Sequence, residues 1–209
     1  MAKRATRKSV PDPKDAIVDA ALRLAASRGW CAPSLADIAA EAGIEPAELH
    51  KHFRHKSQIL CAFCARIDQQ MLDGTDPDIG EEPIKDRLFD VIMRRLDALR
   101  PHKDAIRALA RETLRTPPAA LALAAGPLRN SLQWMLAAAK VEPWGPLQPL
   151  QVKGLGLVYL SVMRVWLDDD GEDQAKTMAA LDKALARAGS LAGRFRPRRK
   201  TEAGETSNA

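Results

Sequence analysis

Several groups of residues in this chain have the types and spacing that chemistry uses. His50, His52 and His55 stand close together, Cys61 and Cys64 form a C-x-x-C pair, and Asp168, Asp169 and Asp170 are consecutive. Imidazoles and thiolates hold zinc, and a C-x-x-C pair also supports redox exchange. Neither set is complete. The histidines have no fourth ligand nearby, and the cysteines lack a preceding strand or a second ligand pair. Both read as structural, with no metal and no cofactor expected. The aspartates fall at a helix boundary, where carboxylates end one helix and cap the next. There is no Gly-rich phosphate loop and no nucleophile motif, so the chain does not read as an enzyme. The basic residues remain. A net charge of +5 invites a nucleic-acid partner, and where that charge sits decides what it means.

Most of it lies at the ends. Residues 1–14 hold five basic residues against Asp12, and Arg194, Arg196, Arg198, Arg199 and Lys200 crowd the other terminus. The stretch between them is slightly acidic. The chain therefore reads as a basic flexible arm over residues 1–13, a folded middle, and a basic disordered tail over 191–209. With 209 residues, 46% of them hydrophobic, the middle can bury a real core. Aromatic residues are few, Ala and Leu are many, and no alternating segment with hairpin signals appears, which points to an all-α fold. The N-terminal basic residues precede no apolar run, and Gly154 to Val165, the longest weakly charged stretch, contains Arg164 and is too short for a bilayer. A cytoplasmic location follows as the expectation.

The elements that position the candidate residues can be read from periodicity and punctuation. Ile17, Ala20, Ala21, Leu24 and Ala25 recur at helical spacing before Gly29. Ser34 with Asp37 three residues later makes a capping box for a second helix, which Gly43 ends. Pro46 suits the first turn of a third helix, running to about Phe53. A fourth begins near Ser57, and the Asp/Gly/Pro run from Asp73 to Pro83 reads as a linker. Further helices are expected over 84–99 and 102–114, then in a stretch from Pro118 interrupted at Gly126-Pro127. The segment 141–149 reads as a loop, followed by helices from Leu150 to about Leu167 and from Asp173 to about Ala188.

Two short helices around a Gly turn have the form of a helix-turn-helix. The run Ser34-Leu35-Ala36-Asp37-Ile38-Ala39-Ala40-Glu41-Ala42-Gly43-Ile44, followed by Leu49, His52-Phe53 and Lys56, closely resembles the signature of the TetR family of transcriptional regulators. The resemblance covers roughly residues 14–64. It implies a three-helix DNA-binding head over residues 14–56 and a helical ligand-binding and dimerisation body over 57–190, about nine helices in all. It also implies a homodimer on double-stranded DNA, a repressor released by a hydrophobic small ligand. Carried over by position, Lys14, Ser34, Ala47, Glu48, His50, Lys51, His52 and Lys56 are the DNA-binding residues, with Lys56 capping the fourth helix and touching phosphate. Three positions depart from the family's pattern. Glu45 replaces the usual Ser or Thr cap, Glu48 a small or hydroxyl residue, and His50 the usual Tyr. Acidic side chains at this helix end thin the positive surface that meets phosphate, although Glu48 can accept a hydrogen bond from cytosine N4.

The second half carries another likeness. Asp86-Arg87-Leu88-Phe89-Asp90-Val91, and Val165-Trp166-Leu167-Asp168-Asp169-Asp170 with the segment after it, resemble the COQ9 family of ubiquinone-biosynthesis proteins. That resemblance implies the same fold used as a lipid-binding accessory protein, with the basic tail touching anionic membrane. On either reading the body holds an apolar ligand. Met93, Leu96, Trp134, Met135, Tyr159, Met163 and Trp166 are the candidate ligand-binding residues, because methionines and aromatics line adaptable apolar sites. Gly154 and Gly156 permit a close helix approach.

Overall fold

The computed structural model describes residues 12–76, 78–113 and 118–195. Among them are nine α-helices and no strand. They are α1 (Pro13–Arg28), α2 (Leu35–Ala42), α3 (Pro46–His52), α4 (Lys56–Asp73), α5 (Ile84–Leu99), α6 (Lys103–Thr113), α7 (Pro118–Ala138), α8 (Gln148–Asp168) and α9 (Ala175–Phe195). The all-α expectation holds. The basic arm and tail fall almost wholly outside the described residues.

Local signals set the first three helices. The Asp12 carboxylate accepts the Lys14 amide at 3.0 Å, and Pro13 opens α1 with a backbone already near helical φ. Ile17, Ala20, Ala21 and Leu24 then turn one face of α1 into the core. Ser34 Oγ accepts the Asp37 amide at 3.1 Å while the Asp37 carboxylate accepts the Ser34 amide at 2.7 Å, a reciprocal cap that starts α2. Gly43 takes the left-handed conformation, φ 70° and ψ 31°, that stops α2 and turns the chain toward α3. Leu49 and Phe53 seat α3 and its end against the same core.

Helix α4 joins the two parts. Ile59, Phe63, Ile67 and Met71 form its buried stripe, and it packs against α1 on one side and α5 and α7 on the other. Helices α8 and α9 form an antiparallel pair closing the body, with Leu181 and Leu185 of α9 buried.

Five details differ from the sequence reading. The segment expected as a plain linker contains a 3-10 turn, Ile79–Glu81, because Ile79 is buried and anchors it. Helix α7 runs through Pro127 without a break, one amide donor short. Helix α8 begins at Gln148, so Pro149 sits in its first turn where no amide proton is needed. Helix α9 starts two residues later than expected, because Gln174 adopts φ 48° and directs the chain into it. The segment Gly145–Asp168 also has the length and apolarity of a membrane crossing, more than the shorter stretch 154–165 suggested. Val152, Leu155, Val158, Tyr159, Val162 and Trp166 face the protein interior, whereas Leu150, Leu157 and Leu160 are exposed.

Candidate nucleic-acid interface

The outward face of α3 is short and mixed. Ala47, His50 and Lys51 are exposed, while Leu49 points inward. Glu45 occupies the N-cap with no side-chain hydrogen bond to the helix, as its replacement of Ser or Thr predicts. The Glu48 carboxylate turns along the helix instead. It accepts from Lys51 Nζ at 2.6 Å and lies 3.4 Å from His52 Nε2. The Lys51 ammonium beside it holds the Glu48 carboxyl below its usual range. The acid that thins the positive surface is thus largely spent within α3, and Lys51 stays at the rim with 70% of its side chain exposed. Lys14 is exposed on the first turn of α1. Ser34 is committed to the α2 cap, its hydroxyl donating to Asp37 at 2.6 Å.

Lys56 takes a place that the resemblance did not suggest. It is the first residue of α4, and His55 is the capping position. Its ammonium reaches back to the loop between α1 and α2, donating to the carbonyl oxygens of Trp30, of Pro33 at 2.8 Å and of Cys31 at 3.3 Å. It also lies 5.1 Å from the centre of the Trp30 ring. Burial lowers its pKa from the ordinary lysine value. A contact to phosphate would require it to leave these carbonyls.

The same loop is gripped from the body. Glu112, near the end of α6, accepts the backbone amides of Trp30 at 3.1 Å and Cys31 at 2.9 Å. Lys56 holds the loop's carbonyls and Glu112 its amides, so the loop between α1 and α2 is fixed by paired polar contacts beside an otherwise apolar seam. Nothing local in the sequence marks Glu112, since its partners lie some eighty positions away.

The candidate ligand residues do not form one surface. Leu96, Met135, Tyr159 and Trp166 are buried, Met93 and Met163 pack partly against the core, and Trp134 is 46% exposed. Among the buried ones the structure brings together a polar cluster that the sequence reading missed. Arg95 of α5 pairs with Asp68 of α4, and donates from Nη2 to Ser131 Oγ of α7 at 3.1 Å and from Nε to Tyr159 Oη of α8 at 3.2 Å. Ser131 Oγ in turn donates to the other Asp68 oxygen at 2.8 Å. Four helices meet on one closed hydrogen-bond network, which is how charge survives inside a protein. A signal was present: Asp68 and Arg95 each fall on the apolar stripe of their helix, beside Ile67 and Leu96.

Cys64 sits close to this network, and burial pushes its thiol up to about 11, so it stays protonated and unreactive. Among the described residues no group of three or more His, Cys, Asp or Glu could hold a metal. Gly156 faces α7 closely, with a Cβ placed there 3.1 Å from Leu132 Cδ1, whereas Gly154 meets nothing within 4 Å.

Comparison with known proteins agrees with this geometry. Residues 17–63 match the family described as bacterial regulatory proteins, tetR family. A curated relative, the uncharacterized HTH-type transcriptional regulator YerO of Bacillus subtilis, is 28% identical over 104 residues, 48% of this chain. The match spans 36% of that protein's length, so it speaks for one part of the molecule. Among solved structures, the TetR transcriptional regulator from Nitrosomonas europaea superposes with a TM-score of 0.69 at 28% identity, covering 86% of this chain and all of that one. A TetR transcriptional regulator from Rhodococcus sp. RHA1 shares the fold, with a TM-score of 0.59 at 19% identity over 84% of this chain and 94% of its own. The likeness of the C-terminal half to the COQ9 family gains no support from these comparisons. Residues 17–63 thus match the family of bacterial regulatory proteins, tetR family, and the all-helical chain is similar in fold to the TetR regulator of Nitrosomonas europaea.

Proposed function

We propose that this protein is a cytoplasmic transcriptional regulator that binds double-stranded DNA as a homodimer through residues 14–56. Residues 57–190 serve as its dimerisation and ligand-responsive part. The observation that carries the reading is the pair α2 and α3. They are joined by a left-handed Gly43, docked through Leu49 and Phe53, and present Ala47, His50 and Lys51 outward within a segment matched to the family. In this reading Lys51 and Lys14 touch phosphate, while Ala47 and His50 lie nearest the base edges.

The homodimer draws support from α8. Leu150, Leu157 and Leu160 are exposed, Leu157 at 73%, and Gly154 beside them leaves space for a close helix approach. Contiguous exposed leucines of this kind are uncommon on a monomer surface. A hydrophobic small ligand that enters the body at Met93, Met163 and the neighbouring core acts as the releasing signal, by favouring one of two arrangements of α4. Exposed bases and phosphates need a footprint to be identified. Nuclease protection on the DNA upstream of the protein's own coding sequence is expected to show two protected half-sites about one helical turn, roughly 10 base pairs, apart or a multiple of it. Uniform, sequence-independent protection would overturn the proposal.

A further inference from the structure

One peptide group, between Trp30 and Cys31, lies between two opposite charges. Its carbonyl oxygen, on Trp30, accepts from the Lys56 ammonium, and its amide, on Cys31, donates to Glu112 Oε2 at 2.9 Å. A cation at the oxygen and an anion at the amide proton polarise a peptide group in the same sense. Each charge-assisted hydrogen bond therefore strengthens the other. The neighbouring groups add to the grip. The Trp30 amide also donates to Glu112 Oε2, at 3.1 Å, and the Pro33 carbonyl accepts from Lys56 at 2.8 Å.

The two charges come from different parts of the molecule. Glu112 lies in the last turn of α6, in the body, where the helix dipole presents its negative end and disfavours a carboxylate. The two loop amides offset that cost. Lys56 opens α4, four positions beyond the last residue of α3, and its long flexible stem can reach either the loop or the surface that α3 presents.

Where that ammonium points matters, because cations are scarce in this part of the chain. Residues 12–56 hold six basic and seven acidic residues. Two of the six are paired, Arg23 with Glu41 at 2.8 Å and Lys51 with Glu48 at 2.6 Å. Lys56 is a third cation turned away from an outside partner.

We propose that Glu112 is a positioning residue that restrains DNA binding by fixing the Trp30–Cys31 peptide as the resting place of Lys56. The inference rests on the regulator reading above. With Glu112 in place the Lys56 ammonium is held by the loop, and with Glu112 withdrawn it swings out to a phosphate. The clamped arrangement has the weaker hold on DNA, and it is the one that a releasing ligand in the body would favour.

The test is the salt dependence of DNA binding by the full chain, on a labelled duplex from upstream of its coding sequence, below the unfolding range of every variant. Glu112→Ala should steepen the slope of log affinity against log salt by about 1 per head and tighten binding about threefold or more at low salt. Adding Lys56→Met should abolish that gain. Glu112→Gln, which keeps an acceptor oxygen and loses the charge, should steepen the slope less and serves if the alanine variant does not fold. Asp104→Ala, which removes an exposed carboxylate from the first turn of α6, should bind as the parent does. If neither Glu112 variant steepens the slope, or if the gain persists without Lys56, the clamp does not restrain binding. A parent chain that binds no DNA would overturn the regulator reading and the clamp with it, whereas unchanged slopes on a parent that binds overturn the clamp alone.

Discussion

The carboxylate of Glu112 of α6 lies over Gly29 at the end of α1, where a side chain would displace it. A Cβ on Gly29 would crowd Glu112 Oε1, and Gly29 holds φ 84° and ψ 167°, a backbone region that side chains rarely adopt. The missing side chain is what lets Glu112 reach the amides of Trp30 and Cys31. Gly29→Ala should therefore destabilise the protein by about 1–3 kcal/mol from backbone strain alone. The melting temperature would fall by roughly 2–4 °C per kcal/mol in a domain of this size. Glu112→Ala should cost about 1–3 kcal/mol by leaving two amides without that acceptor, and the double variant should cost less than the sum. Denaturant unfolding of the three variants checks this.

The buried Asp68–Arg95 pair predicts a larger effect. Arg95→Met leaves the enclosed Asp68 carboxyl without its partner, with Ser131 and Tyr159 deprived of their Arg95 donor. The expected loss is about 3–5 kcal/mol. Adding Asp68→Asn to Arg95→Met should recover part of it, since an amide is cheaper to bury than an orphaned carboxylate. Equal losses for the single and double variants would show that the charge pairing is not what matters there.

Lys51 and Lys56 separate two roles that the sequence pattern runs together. Lys51 is exposed on α3, and if it meets phosphate then Lys51→Ala should reduce the salt slope of DNA binding by about 1. Lys56 holds the loop carbonyls instead. Lys56→Met should lower stability by about 1–3 kcal/mol and leave the salt slope unchanged. Paired unfolding and binding titrations of both variants distinguish the outcomes.

Acid sensitivity should involve His102, which stacks edge-on to Phe63 with ring centres 5.2 Å apart. Burial lowers its pKa below the ordinary histidine value of 6.5, with the Arg66 cation adding to the effect. The folded form then resists protonation that the unfolded chain accepts. Its contribution to stability is complete above pH 6.5 and falls as pH drops from there toward the lowered value. Urea unfolding at pH 7.5 and near pH 5.5 should show this decline, and His102→Gln should reduce it.

How much the sequence disclosed depends on the range of the interaction. Ser34 with Asp37, Gly43 and Pro46 act within one turn of themselves, and the capping box, left-handed turn and helix start appear where those residues place them. The missing cap at Glu45 was equally legible. Glu112 and Lys56 could not be read this way, because each acts on the Trp30–Cys31 loop across a long stretch of chain. Asp68 and Arg95 were visible as charges on apolar stripes, but only the crossing of α4 and α5 shows that each answers the other. Gly126-Pro127 signals an interruption in the sequence, yet a proline costs a long helix one amide donor and packing on either side can carry it through.

The central claim is that α2 and α3 serve sequence-specific DNA binding, and fluorescence anisotropy tests it most directly. The full chain is titrated into labelled DNA from upstream of its own coding sequence, and into a scrambled duplex, at two salt concentrations. The account predicts affinity for the upstream DNA in the range of about 10⁻⁸ M or tighter, at least about a thousandfold above the scrambled duplex, and weakening steeply with salt. Equal, weak binding to both duplexes at both salts would contradict it.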